Sequence, residues 1–210
     1  MNEKIEAFYR SLNGKKVAFI GTGVTNQSCI ELFSRYGAVI TLCDKKESVE
    51  AFGPLAERLK KLDIAFSLGE HYLDGLKGQD MIMRTPGFEY FTPELVAAGK
   101  AGAEVTSEME LFFRLCPCEI VAVTGSDGKT TTTTLIAEML KAAGRTVHLG
   151  GNLGRALLPV AEAMGRTTST ITRTCRNTST QSATSCSIRM RTTAPCSAGR
   201  TALRAPCRRT

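Results

Sequence analysis

The stretch from Glu119 to Thr134 constrains the fold more than any other part of the chain. Ile120, Val121, Ala122 and Val123 are apolar and rich in β-branched residues, which suits a strand buried inside a parallel sheet. A turn bracketed by Gly125 and Gly128 follows, then Lys129 and a run of threonines, and Leu135, Ile136, Met139, Leu140 and Ala143 recur at helical spacing. Strand, glycine turn, lysine, hydroxyls and helix stand in the order of a phosphate-binding loop. The two glycines let backbone N–H groups turn toward an anion, and the helix N-terminus adds its dipole at the same point. Lys129 would reach the outer phosphates, and the hydroxyl of Thr130, or that of Thr131, can hold Mg²⁺. The spacing is G-x-x-G-K-T and not the usual G-x-x-x-x-G-K-[ST], because Val123 stands five residues before Gly128. A bare G-K-T is weak evidence, and the flanking strand and helix carry the reading over an ordinary glycine-rich turn.

With 210 residues, 42% of them hydrophobic, the chain has the material for one or two domains. Its net charge of +7 misleads: residues 165–210 hold nine Arg and no Asp, Glu or Lys, and without those nine charges the first 164 residues stand at −2. A nucleic-acid partner inferred from basicity would rest on that segment alone, which lacks interleaved aromatics, so none is expected. The N-terminus is charged and no apolar run approaches membrane-spanning length, so a cytoplasmic protein without a membrane partner is expected. Cys116 and Cys118 form C-x-C with no second pair, and His71 and His148 have no ligand partner at suitable spacing. Structural zinc is not expected.

Before the phosphate loop, strands and helices alternate. Residues 17–20 read as a buried strand, 21–23 as a tight glycine turn, 28–36 as a helix, and 38–43 as a second strand ending at Asp44. This is the opening of a dinucleotide fold, in which an acid at the tip of the second strand can meet a ribose or base edge. The third glycine of G-x-G-x-x-G is replaced by Asn26, which argues against the close helix and pyrophosphate approach of NAD enzymes. Residues 54–62 suit a helix, 64–68 a strand, 80–85 a strand, 92–99 a helix, 103–106 a strand and 108–115 a helix. Thr85, Pro86 and Gly87 make a turn expected to leave backbone donors free at the carboxyl edge of the sheet. After the phosphate loop, 145–149 reads as a strand, 150–154 as a turn and 155–164 as a helix. Asn152 would then sit at a strand's carboxyl end beside the phosphate loop, where ligand groups collect. The fold class expected is α/β. A Rossmann-like N-terminal parallel-sheet domain (1–115) leads to a truncated P-loop α/β domain (116–164) and a disordered tail (165–210).

The ordered set of Gly21 to Thr25, Leu42 to Asp44, Arg84 to Gly87, Glu108 to Phe112, Thr124 to Thr131 and Gly151 to Gly154 resembles the Mur ligases, over residues 1 to about 164. The shortened phosphate loop is that family's own form. The resemblance implies an ATP-dependent ligase of peptidoglycan synthesis that uses Mg²⁺, takes UDP-N-acetylmuramoyl-L-alanine and D-glutamate as substrates, and works as a monomer. Its first domain holds the uridine nucleotide, its central domain ATP and its third the amino acid. By the same resemblance, Val24, Thr25, Asp44, Thr85, Pro86 and Gly87 contact the UDP part, with Lys45 or Lys46 as a uridine-binding cation. Gly125, Ser126, Asp127, Gly128, Lys129, Thr130 and Thr131 hold ATP, with Thr130 on Mg²⁺ and Lys129 stabilising the transferring charge. Asn152 belongs to the central nucleotide or substrate site. The other readings are a non-catalytic nucleotide-binding fragment, a neighbouring Mur or folylpolyglutamate-type ligase, and a dinucleotide-dependent oxidoreductase built on residues 15–44.

After Met164 the composition breaks to twelve Thr, nine Arg, six Ser and four Cys, and no regular element is expected there. Read one base out of frame, residues 165–185 permit the string P-N-H-L-D-x-H-x-D-M-Q-E-Y-I-D-A-K-R-N-I. That string resembles a downstream segment of the family, including the lysine that is carbamylated there and helps hold a second Mg²⁺. A frame error is therefore expected, with loss of the intervening segment and its metal-binding acid. The chain as written is expected not to ligate.

Overall fold

In the computed structural model, the residues described are 3–85, 87–124, 127–151, 156–163, 169–174 and 188–191. Five parallel strands build the first sheet in the order β3-β2-β1-β4-β5: β1 Lys16–Ile20, β2 Val39–Asp44, β3 Ile64–Leu68, β4 Met81–Arg84 and β5 Glu104–Thr106. Helices cover both faces, so β1 is apolar on both sides. Val17 and Phe19 pack with Ile40, Leu42, Met81 and Met83 against α1 (Glu3–Arg10), α2 (Val24–Arg35) and α5 (Glu108–Leu115). The alternate residues Ala18 and Ile20 join Cys43, Ile82, Tyr72, Leu76 and Leu95 on the other face, the last of these from α4 (Pro93–Lys100).

Tyr9, Phe19 and Phe33 form a fully buried aromatic centre on the first face, with the partly buried Tyr36 packed against it. Phe19 and Phe33 meet edge to face at 5.6 Å, and Tyr9 stacks on Tyr36 at 4.6 Å. Removing side chains of this size from water contributes about 1.5–3 kcal/mol each. That burial explains why α1, a short charged helix that the sequence pattern does not announce, docks through Ile5 and Tyr9, one turn apart.

Boundaries shift where local chemistry overrides periodicity. Helix α2 starts at Val24 and not at 28, directly after the glycine turn. The single helix expected over 54–62 is split: Gly53 at φ +58° precedes Pro54, leaving a 3-10 turn over Glu50–Leu55 and a five-residue α3, Ala56–Lys60. Ser107 caps α5 by accepting from the Glu110 N–H at 3.3 Å, the serine half of a capping box.

The second sheet runs β7-β8-β6-β9, from β6 Glu119–Val123, β7 Thr146–Gly151, β8 Ser169–Thr174 and β9 Ile188–Arg191. α6 (Lys129–Ala142) and α7 (Leu158–Ala163) complete the elements. Strands β8 and β9 correct the expectation that no regular element follows Met164. β8 lies parallel between β6 and β7, and β9 pairs antiparallel with β6. A Thr- and Arg-rich composition suggests solvation, yet Ser169–Thr174 is rich in β-branched residues, and β6 otherwise presents open backbone donors and acceptors along its edges. The remainder of 165–210, on which most of the disorder and frame-error readings fall, lies outside the described residues.

Candidate functional site

Parallel register brings the ends of β1, β2 and β4 to one edge, where Ile20 stands opposite both Cys43 and Arg84. Just beyond lie Gly21, Asp44 and Thr85, three positions remote in sequence. Gly21, at φ +77°, donates its N–H to the Cys43 carbonyl at 2.8 Å. A Cβ on Gly21 would stand 3.4 Å from the Thr85 methyl, and one on Gly23 3.5 Å, so Thr85 packs directly on the glycine turn. Val24 and Thr25 open α2 behind Gly23, which offers no side-chain oxygen, so the first turn has no side-chain cap.

Asn26, at the position of the absent third glycine, is fully buried. Its Nδ2 donates to the carbonyls of Ile20 and Gly21, each at 3.0 Å. The amide thus ties the end of β1 to the first turn of α2, a role that the glycine pattern hides. Its Oδ1 is buried with no partner among the described residues.

Asp44 Oδ1 accepts from the Lys46 N–H at 3.1 Å and shapes the strand tip. Between the two lysines the geometry is unequal. Lys46 Nζ donates to the Ala51 carbonyl at 3.0 Å and sits 4.4 Å over the Phe52 ring, whereas Lys45 is exposed with no side-chain partner among the described residues. At the turn after β4, the Phe88 N–H donates to the Thr85 carbonyl at 3.0 Å. Gly87 is exposed, and Pro86 lies outside the described residues. Arg84, which the sequence motifs leave without a role, donates to Glu110 at 3.0 Å and lies 5.0 Å over Tyr90.

The phosphate-loop edge has the same logic. Gly128 is left-handed at φ +68° and forms the N-cap of α6 with no side-chain cap, while its carbonyl accepts from the Thr132 N–H at 2.9 Å. A Cβ there would meet nothing within 4 Å, so glycine answers to the backbone angle and not to crowding. Asp127, Thr130 and Thr131 are exposed and Lys129 half-buried at this opening. An uncapped helix start with two exposed hydroxyls fits a phosphate and a hard cation that prefers oxygen. Gly125, Ser126 and Asn152 lie outside the described residues. Asn152 follows Gly151, which stands opposite Thr174, as does Val123 of β6. Strand β8 therefore lies between β6 and β7.

No group of three or more His, Cys, Asp or Glu suited to a metal occurs among the described residues, and no helix among them is long and apolar enough to cross a membrane. Burial pushes the Cys43 and Cys116 thiols up to about 12, which marks them as inert packing groups.

Residues 15–107 match the Mur ligase MurD-like N-terminal domain, and residues 123–189 the Mur ligase middle domain. The chain belongs to the Mur ligase family. Among its Mur ligase relatives, the UDP-N-acetylmuramoylalanine--D-glutamate ligase of Acetivibrio thermocellus is 53% identical over 162 residues, covering 77% of this chain and 34% of that protein. The enzyme of the same name from Ruminiclostridium cellulolyticum is 46% identical over 167 residues, covering 80% and 36%. The match thus spans about a third of these relatives' length. A murein peptide ligase from Psychrobacter arcticus overlaps 66% of this chain and 28% of its own at 23% identity and a TM-score of 0.41. The middle-domain match runs past Met164 to residue 189, through β8.

Proposed function

We propose that this chain carries the two nucleotide-holding ends of an ATP-dependent ligase that joins D-glutamate to UDP-N-acetylmuramoyl-L-alanine in the cytoplasm. One observation carries the reading: in each sheet a parallel strand, β1 or β6, leads to a glycine that starts a helix without a side-chain cap, Gly23 before α2 and Gly128 before α6. The named relatives match this same stretch. At the first end, Val24, Thr25 and Thr85 would take the UDP phosphates, Asp44 a ribose or base edge, and Lys45 the uridine, since Lys46 is held by Ala51 and Phe52. Pro86 and Gly87 would complete that wall.

At the second end, the amides from Gly125 to Thr131 would hold the ATP phosphates, with Lys129 stabilising charge on the transferring group. Mg²⁺, held through the Thr130 hydroxyl, supplies neutralisation of phosphate charge when bound. Asn152 would orient nucleotide or substrate from the end of β7. The chemistry suits amide-bond formation, because a carboxylate is a poor acceptor, and phosphorylating it gives the D-glutamate amine a leaving group to displace. The domain division at about residue 115 is part of the same proposal, one sheet for each nucleotide.

Titration calorimetry tests the reading. UDP and a non-hydrolysable ATP analogue with Mg²⁺ should bind to the 210-residue chain independently at one site each. Failure of both, or binding of NAD in place of UDP, would refute it.

A further inference from the structure

Glu108 is the first residue of α5, yet its side chain faces inward at 4% exposure. Its Oε1 accepts from the backbone N–H groups of Leu157 and Leu158, both at 2.7 Å. These are the amides that open α7, which follows the phosphate-loop unit's strand β7 in the chain. The bonds cross from the first sheet's helical layer to a segment about fifty residues away.

Packing surrounds that contact from both sides. Leu157, Leu158 and Ala161 belong to the same buried cluster as Ile5, Tyr9, Cys29, Leu111 and Phe112, and the Tyr9 hydroxyl donates to the Leu158 carbonyl at 3.2 Å. From the other unit, Gly150 of β7 closes on Leu157 so tightly that a Cβ there would lie 2.1 Å from Leu157 Cδ2. Leu157 is therefore gripped by the first unit on one side and by β7 on the other. A buried carboxylate without donors costs several kcal/mol, so a packing role alone would be served better by an apolar residue. Here the charge meets two helix-opening amides, the setting in which an anion is favoured. Burial, and secondarily the Glu108 carboxylate, push the Cys29 thiol up, in keeping with a charge lodged between α2 and α7.

We propose that Glu108 is a latch that makes the two units one body, holding the end of β7, which leads into Asn152, at a fixed place relative to the first turn of α2. Its functional weight rests on the nucleotide reading above, but its existence does not. Without the latch, the described contacts joining the two units reduce to the covalent chain, apolar packing and the single Tyr9–Leu158 hydrogen bond, and the two nucleotide ends could drift apart.

The test is residue-resolved amide hydrogen exchange by NMR on the full chain at neutral pH. Glu108→Ala should speed exchange at Leu157 and Leu158 by about 100-fold, the equivalent of two charge-assisted hydrogen bonds, and leave Phe19 and Leu42 within about threefold. Glu108→Gln, which keeps an acceptor oxygen without charge, should lose about tenfold at the same two amides. Unchanged protection at Leu157 and Leu158 in either variant overturns the latch, as does parallel loss at Phe19 and Leu42. If the alanine variant fails to fold, the glutamine variant decides alone on the same criterion. No nucleotide enters the measurement, so its failure is distinct from failure of the ligase reading.

Discussion

Replacing Asn26 tests how the first nucleotide end is built. Its Nδ2 makes two hydrogen bonds of 3.0 Å to the Ile20 and Gly21 carbonyls inside a fully buried site. Asn26→Ala deletes both, at about 1 kcal/mol each, and strands two acceptors. It also removes Oδ1, which has no partner among the described residues, and that returns part of the loss. The net destabilisation should be about 1–2 kcal/mol. Asn26→Asp keeps the size but turns the donor into an anion facing two carbonyl oxygens, so it should exceed the alanine variant by at least about 2 kcal/mol. The excess has a signed pH dependence. A carboxyl buried among acceptors has a folded pKa above its ordinary value, so stability is present at low pH and is lost as pH rises through that pKa. Urea unfolding followed by circular dichroism at neutral and mildly acidic pH measures both effects. An aspartate variant no worse than alanine, or one whose deficit grows on acidification, would refute the reasoning.

Three further outcomes follow from the same geometry. Gly128→Ala should cost only about 1–2 kcal/mol, since φ is +68° but nothing lies within 4 Å of the new Cβ. Gly75→Ala, by contrast, places a Cβ 2.7 Å from Ser67 Cβ and 2.8 Å from Cys43 Sγ, and should cost about 1–3 kcal/mol by crowding, both read by thermal melts. The Cys43 thiol is raised from 9.0 to about 12 by burial. Its contribution is intact below 9.0 and is lost as pH climbs toward 12, so stability should fall over that window and fall less steeply in Cys43→Ala.

Much of the first sheet was legible because its signals are local. Ile64–Leu68 and Glu108–Leu115 occur where periodicity placed them, and the meeting of Gly21, Asp44 and Thr85 follows once the strands are taken as parallel. What escaped depends on partners that no local pattern announces. Helix α1 is held by the aromatic cluster around Phe33 and Tyr36, and β8 by hydrogen bonding to β6 and β7. Asn26 looked like a defect in a glycine fingerprint until its amide met the strand end. Glu108 looked like an ordinary first-turn acid, which α5 alone would leave in water, and only the amides of Leu157 and Leu158 give its burial a reason. The glycine turn before α6 was the clearest signal, because a left-handed glycine before a lysine-led helix is written in consecutive residues.

The central claim is that two separate nucleotide ends exist, one before α2 and one before α6. Parallel calorimetric titrations of the wild-type chain, Lys129→Ala and Thr85→Ala with UDP and with an ATP analogue plus Mg²⁺ test it most directly. Lys129→Ala is predicted to weaken the ATP analogue at least about tenfold with UDP unchanged, and Thr85→Ala to do the reverse. Loss of both ligands in either variant, or of neither in both, would contradict it.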